Sequence, residues 1–257
     1  MPGLPLPSQN VDVLAKETLG GGYSRIVVGA PEMARRARPG QFAMIRPRPG
    51  TDPLLNRPFS FYDVDPEAGT VTFLCLDLGL GSRLIGQMRE GDRILLIGPL
   101  GNTFVPPERG RAVFVAGGVG VAPFLHLGKE LGGGTLLFGG RNRGAIVDID
   151  ALEAAGIEVL PATDDGSLGR KGFVTDLLHE HLEKRGHDVT LYGCGPNPML
   201  RILCQMAIEK DIPCQVSIDQ KMACGFGTCM GCMVMTTDGY RKVCTAGPVF
   251  EARDLAW

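Results

Sequence analysis

Ala112-Val113-Phe114-Val115-Ala116-Gly117-Gly118-Val119-Gly120-Val121-Ala122-Pro123 is an apolar run of strand length that breaks into a glycine-rich turn and continues as a helical pattern. A parallel sheet delivers a strand into a helix in this way, and the turn between them is where nucleotide phosphates lie in a doubly wound fold. The pattern departs from G-x-G-x-x-G because position 123 is proline, so a tight strand-to-helix turn with no ligand is the plain alternative. Downstream the alternation continues: strands at 135–139, 157–161, 189–192 and 214–218, helices at 122–131, 149–155, 174–184 and 198–210. Strands alternating with helices predict a parallel sheet covered on both faces. Val174, Leu177, Leu178, His181 and Leu182 form one helical stripe and Met199, Leu200, Leu203 and Met206 another, both expected to face the core. Tyr192-Gly193-Cys194-Gly195-Pro196 ends a second strand on the same carboxyl edge, and two glycine turns on one edge define a crevice. No cation adjoins Cys194 in sequence to lower its pKa, so it reads as a packed thiol lining that crevice.

Upstream the period is different. From residue 11 to 104, short strand candidates at 23–28, 41–46, 59–64, 71–76 and 93–97 are cut by Pro39-Gly40, Pro49-Gly50 and a turn at 67–69, which predicts an antiparallel barrel. Arg57-Pro58-Phe59-Ser60 lies on a barrel strand, where a guanidinium fork suits a pyrophosphate and a serine hydroxyl suits a flavin ring nitrogen. Gly79-Leu80-Gly81-Ser82 opens a short helix whose free N–H groups favour phosphate. An ordinary N-cap by Ser82 explains the same residues.

The last part carries Cys224, Cys229, Cys232 and Cys244 as C-x4-C-x2-C-x11-C, the first three packed between Gly225, Gly227 and Gly231. This short spacing is that of a plant-type [2Fe–2S] cluster, whose wrapping needs a tight backbone that aims amides at sulfur. Zinc sites usually present two C-x2-C knuckles and only Cys229 and Cys232 make one here; a disulfide loop is the other bland reading. Beyond residue 218 the chain is too short for a large core of its own and needs a staple or a neighbour. The expected division is therefore 1–104 barrel, 105–212 α/β and 213–257 cluster segment.

Charge and composition exclude several classes. The chain has 257 residues, a formal net charge of −2 and a pI near 6.1, with Lys and Arg scattered. That gives no electrostatic footprint for nucleic acid or an anionic membrane. No run approaches a membrane span, and Met1-Pro2-Gly3-Leu4-Pro5 lacks the basic and apolar regions of a signal peptide. The remaining cysteines, Cys75, Cys194, Cys204 and Cys214, stand singly in apolar surroundings, which fits a reducing cytoplasm. Thr163-Asp164-Asp165-Gly166-Ser167 reads as a solvated turn, and none of His126, His179, His181 and His187 has ligand spacing.

Taken in order, Arg57–Ser60, Gly98-Pro99-Leu100-Gly101-Asn102, the 117–123 turn, Gly193-Cys194-Gly195-Pro196, Met222-Ala223-Cys224-Gly225-Phe226-Gly227-Thr228-Cys229-Met230-Gly231-Cys232 and Val243-Cys244-Thr245-Ala246-Gly247-Pro248-Val249-Phe250 resemble the electron-transfer subunits of the NAD-dependent, two-subunit dihydroorotate dehydrogenases, in the ferredoxin reductase superfamily. The resemblance spans nearly the whole chain, and the cysteine motif is its most specific part. It implies FAD on the barrel, NAD(H) on the α/β part, a [2Fe–2S] cluster on the four cysteines and an FMN-containing dihydroorotate dehydrogenase catalytic subunit as partner, two of each chain forming a heterotetramer. It further implies that Arg57 and Ser60, with Pro58 and Phe59 between them, contact the flavin, that Gly79, Gly81 and Ser82 hold its pyrophosphate, and that Gly117, Gly118 and Gly120, facing Cys194 and Gly195, hold the nicotinamide nucleotide. The dihydroorotate site would lie on the partner.

Nicotinamide takes a two-electron hydride and an iron–sulfur centre one electron, so a flavin, which does both, belongs between them. Arg141 and Arg143 after the 135–139 strand leave room for NADP, since no acidic residue stands at that strand end to hold a ribose hydroxyl. Two other functions share these features: a self-standing NAD(P)H reductase for an oxygenase or hydrogenase, and a non-catalytic zinc-stapled module.

Overall fold

Strand β1 (Ser8–Gly20) runs for 13 residues and serves two neighbours, its first part pairing with the strand at Arg93–Leu100 and the remainder with β2 (Tyr23–Gly29). Only Val11 and Val13 are buried along it, so its sequence shows almost no alternation and the strand escapes a periodicity search. The structure, a computed structural model, describes residues 8–107 and 110–257. The proline-rich start at 1–5 lies outside the described residues.

After helix α1 (Pro31–Arg36), which buries Met33 and Ala34, come β3 (Phe42–Arg46), β4 (Arg57–Ser60), β5 (Asp63–Asp65), β6 (Thr70–Leu76), helix α2 (Leu80–Gly86) and β7 (Arg93–Leu100). The antiparallel order is β4-β3-β7-β1-β2-β6-β5. Its two edges are consecutive in sequence, joined only by Phe61 and Tyr62. The Phe61 amide donates to the Gln41 carbonyl at 3.3 Å and the Tyr62 amide to the Thr72 carbonyl at 2.9 Å, which closes the barrel. The strand expected over 59–64 is thus two strands around a corner, because closure requires the chain to change sides there.

The α/β part contains β8 (Arg111–Gly117), α3 (Ala122–Leu131), β9 (Gly134–Gly140), α4 (Ile149–Ala154), β10 (Ile157–Thr163), β11 (Arg170–Lys171), α5 (Val174–Arg185), β12 (Val189–Cys194), α6 (Asn197–Glu209) and β13 (Cys214–Ser217). Pairing is parallel from β11 through β10, β9, β8 and β12 to β13. Because β8 is central and the chain winds first to one side and then the other, the switch point lies between β8 and β12, where Ala116 pairs with Cys194. Leu178, His181, Leu182, Leu200 and Leu203 are buried, as their stripes predict. Cys204 and Cys214 differ from the expectation of isolated thiols: α6 packs on β13 and both lie buried in one core cluster. All eight cysteines are free.

The C-terminal segment forms a hairpin of β14 (Met233–Thr236) and β15 (Gly239–Lys242), helix α7 (Val243–Ala246) and β16 (Val249–Glu251). Strand β13, beyond the expected division at 212, belongs to the α/β sheet, and β16 adds antiparallel to its edge. The reason is burial. One core cluster joins Phe42, Met44 and Leu100 of the barrel, Val113 and Leu191 of the sheet, and Met222, Cys232, Val243, Cys244 and Phe250 of this segment. A segment this short buries its apolar residues only against neighbours. Asn102 secures it: its amide donates to the Gly247 carbonyl at 2.7 Å, its side-chain nitrogen to the Val249 carbonyl at 2.8 Å, and its side-chain oxygen accepts from the Val249 amide at 2.9 Å.

The barrel and sheet are further tied by Asp148, which accepts two hydrogen bonds from Arg25 at 3.1 and 3.0 Å and one from the Tyr62 hydroxyl at 2.5 Å. Among the described residues no helix is long and apolar enough to cross a membrane.

Candidate functional site

Arg57 and the start of α2 are 22 or more positions apart in sequence yet touch. A Cβ placed on Gly81 would come within 2.5 Å of the Arg57 Nε and 2.8 Å of its Nη2, so only glycine lets the guanidinium lie across that turn. The Arg57 Nη1 donates to the Leu55 carbonyl at 2.6 Å, which fixes the fork. Beside it Asn56 Oδ1 is buried with no hydrogen-bond partner. An orphaned buried acceptor next to a positioned guanidinium is the donor–acceptor edge that a polar cofactor such as FAD satisfies. The two serines divide. Ser82 Oγ accepts from the Leu78 and Gly79 amides at 2.9 and 3.1 Å and donates to the Gly79 carbonyl, so it shapes the turn. The Ser60 hydroxyl has no protein partner among the described residues. Pro58 pairs with Met44 across β3, and Phe59 packs edge-on against Phe73 with ring centroids 6.3 Å apart. The Cys75 Sγ donates to the Ser82 carbonyl at 3.2 Å and anchors the turn to β6.

At the switch point the two glycine turns meet closely. A Cβ on Gly120 would lie 2.2 Å from the Cys194 carbonyl oxygen, and one on Gly117 would lie 2.6 Å from Pro196 Cδ. Gly118 has φ of +56°, and its turn approaches the Tyr23 hydroxyl of the barrel. These glycines are thus needed for turn-on-turn packing as well as for any ligand. Cys194 is buried, and its thiol is pushed up to about 12 by that burial and by the nearby Asp219 charge, with a Ser217 hydrogen bond opposing. Ser217 and Asp219 were not singled out from the sequence; their place at the carboxyl end of β13 is the signal that finds them. Crowding by protein raises the Asp219 carboxyl although it reaches solvent.

Asp164 and Asp165 lie in an exposed turn, as the sequence predicts. Their amides donate to the Gly140 and Arg141 carbonyls at 3.0 and 3.4 Å, so the loop after β10 folds beside the loop after β9. The Asp165 carboxylate accepts from the Ser167 amide and hydroxyl at 2.9 and 2.6 Å, within its own turn.

The cysteine loop rests on the barrel: a Cβ on Gly225, whose φ is +83°, would lie 2.4 Å from Met44 Cγ. The loop thereby sits against the strand paired with Arg57–Ser60. Amides point at sulfur as the spacing predicts, Cys229 N–H to Cys224, Gly231 N–H to Cys229 and Cys244 N–H to Cys232, each at 3.4 Å. Burial raises the Cys224 thiol, but the Cys229, Phe226 and Thr228 amides and the Cys229 side chain together outweigh it and bring it to about 6. Cys244 is pushed up to about 12, by burial first and then by Cys232. The sulfurs associate two and two, Cys224 with Cys229 and Cys232 with Cys244. Among the described residues no three Cys, His, Asp or Glu side chains surround one ion position, whereas two pairs suit a two-iron centre. Cys229 is exposed and Cys232 and Cys244 are buried, so one pair faces outward.

Comparison with known proteins bears on each region. Residues 219–256 match the iron–sulfur cluster binding domain of dihydroorotate dehydrogenase B, and residues 114–205 the oxidoreductase NAD-binding domain. The chain is 38% identical over 237 residues to the electron transfer subunit of dihydroorotate dehydrogenase B (NAD(+)) of Desulforamulus reducens, covering 89% of this chain and 90% of the other. It is 37% identical over 219 residues to the corresponding subunit of Clostridium acetobutylicum, covering 85% and 86%. Among solved structures, that of an NADH-dependent reduced ferredoxin-NADP oxidoreductase, studied for flavin-based electron bifurcation, aligns with a TM-score of 0.86 and 28% identity over 100% of this chain and 92% of the other. The ferredoxin reductase of carbazole 1,9a-dioxygenase shares the fold, with a TM-score of 0.68 and 23% identity, covering 83% and 68%.

Proposed function

Because the chain belongs to the family of dihydroorotate dehydrogenase B electron transfer subunits, we propose that it carries electrons from an FMN-containing catalytic subunit, which oxidises dihydroorotate to orotate, through a [2Fe–2S] cluster and FAD to NAD+. The two resident groups supply one-electron transfer and the conversion between one- and two-electron transfer, respectively. The remaining work is done by this chain. Arg57 offers a fixed fork for the flavin pyrophosphate beside Gly79 and Gly81, and Ser60, with Pro58 and Phe59 behind it, offers its free hydroxyl to the ring. Ser82 keeps the turn in shape. Gly117, Gly118 and Gly120 form one wall of the nicotinamide crevice and Cys194 and Gly195 the other. Cys224 with Cys229 would hold one iron, Cys232 with Cys244 the other.

The observation that carries this reading is the contact of Gly225 with Met44, the residue paired with Pro58 in the Arg57–Ser60 strand. It brings the cysteine loop and the flavin strand together, while Gly118 borders the same barrel at Tyr23. The relatives named for NAD(+) support NAD as the nicotinamide carrier. We assign FAD to the barrel through residue 104, the nicotinamide to the sheet through β13, and the cluster to the segment from 219 onward. The assembly is a two-plus-two heterotetramer in the cytoplasm.

The whole-chain match to the bifurcating oxidoreductase means that the partner, not the fold, separates this reading from a reductase serving another protein. Anaerobic co-expression with the FMN-containing catalytic subunit tests it. Co-elution at a two-plus-two mass, a rhombic signal on reduction and dihydroorotate-dependent NAD+ reduction are expected; iron-free protein, or no association and no NAD+ reduction, would refute it.

A further inference from the structure

Lys242 ends β15 two residues before Cys244 and directs its ammonium onto the cysteine loop, where Nζ donates to the Gly227 carbonyl at 2.9 Å. The contact is partly buried, so water and salt screen it incompletely. The Gly227 carbonyl belongs to the same peptide unit as the Thr228 amide, in the turn between Cys224 and Cys229 whose amides hold the Cys224 thiol low, the Cys229 N–H bonding its sulfur at 3.4 Å. A cation on the oxygen end of a peptide polarises the conjugated unit and makes its N–H a stronger donor. The Gly227 amide also acts on the Cys244 thiol, opposing its rise. Lys242 therefore holds the turn that runs between Cys224 and Cys229.

The loop has no slack at this point. Gly227 has φ of +92°, and a Cβ there would lie 2.8 Å from Thr245 Cγ2 and 3.6 Å from Lys242 Nζ. The neighbouring cation does something else: Arg241 is hydrogen-bonded to Asp238 at 2.7 Å. Among the described residues Lys242 is the cation hydrogen-bonded to the 222–232 loop.

Resting on the assignment of the four cysteines to a two-iron centre, we propose that Lys242 is a positioning residue that sets the reduction potential of that centre, its charge reaching the sulfurs through the Gly227–Thr228 peptide. Reduction adds a negative charge to the thiolate-bound centre, and a nearby cation with strengthened N–H donors favours the reduced state.

The test titrates the cluster by paramagnetic resonance in the complete anaerobic complex carrying K242R, K242Q or K242M. Arginine keeps charge and donor, glutamine keeps a donor alone, and methionine keeps neither. K242M is expected to lower the one-electron reduction equilibrium about tenfold, or about 59 mV. K242Q should fall between it and wild type, and K242R close to wild type. R241M should leave the cluster potential in place, and the flavin potential should be unchanged throughout. Iron-loaded K242Q with the wild-type potential would overturn the proposal, as would an R241M shift equal to that of K242M. If K242M loses iron, K242Q against K242R decides; loss of iron from K242Q as well would replace the potential-setting role with a purely structural one. A wild-type complex without iron, labile sulfide or a rhombic signal would instead refute the cluster assignment itself.

Discussion

The cysteine loop and the glycine crevice are built in opposite ways. In the loop, residues 224–232 carry three sulfurs and the amides that face them within one short stretch, so the site is local and its donor chemistry is explicit. In the crevice, residues 117–120 and 193–196 are remote in sequence and become a site only because β8 and β12 pair in parallel, Ala116 against Cys194. A local donor set fails when one member is removed. A crevice made by two touching backbones fails when anything is inserted between them.

Cys229→Ala should give the largest effect, because the outward pair then has one thiolate. Iron and labile sulfide should be lost while NADH-to-dye activity through bound FAD persists; loss of dye reduction with FAD retained would show that the two regions are not serially separable. Gly120→Ala is the reciprocal test. With a Cβ only 2.2 Å from the Cys194 carbonyl, the turns must part, at a cost of about 3 kcal/mol. The NADH KM should rise steeply while the cluster signal is untouched, and an unchanged KM would break the contrast.

Helix α3, which leaves the first turn, carries a pH-sensitive group. His126 is buried with Nδ1 unpartnered, and its pKa is lowered to about 4, by burial first, with Asp63 opposing and Lys129 and Arg38 adding to the drop. The unfolded chain, with an ordinary histidine pKa near ~6.5, binds this proton at higher pH than the folded protein does. Stability is therefore full above that value and is lost as pH falls from about 6.5 toward about 4, by on the order of 3 kcal/mol. Denaturant unfolding at pH 7.5 and pH 5 should show a drop that His126→Leu reduces. The smallest effect is expected at the barrel. Arg57→Ala should weaken FAD affinity by about 2 kcal/mol, roughly thirtyfold, measured by flavin release on dilution. Unchanged retention would remove Arg57 from the pyrophosphate.

Much of this was legible from the chain. The strand–turn–helix at 112–123 and the alternation after it reproduce the parallel sheet closely, since both rest on local periodicity and glycine turns. Strand β1 was not legible, because it lies largely on the surface and exposes most of its side chains. The corner at Phe61-Tyr62 was hidden because strand propensity does not record barrel closure. Asp164 and Asp165 form the solvated turn the sequence predicts, while the amide bonds that lay it beside the loop after β9 come from tertiary structure. Asn102 looked like part of a motif, and only its hydrogen bonds to the C-terminal segment show what it does.

The amino-acid order by itself determined the donor chemistry: four thiols spaced for two irons, glycines where the backbone must turn, and two glycine turns at the carboxyl ends of strands. Tertiary structure decided which of these groups meet. Gly225 on Met44, Gly81 under Arg57, Gly120 against Cys194 and Lys242 on Gly227 are contacts across long sequence separations. The first exists because a short C-terminal segment buries its apolar residues only by leaning on the barrel and the sheet together, whereas the second follows from packing within the barrel and the third from the parallel pairing of β8 with β12.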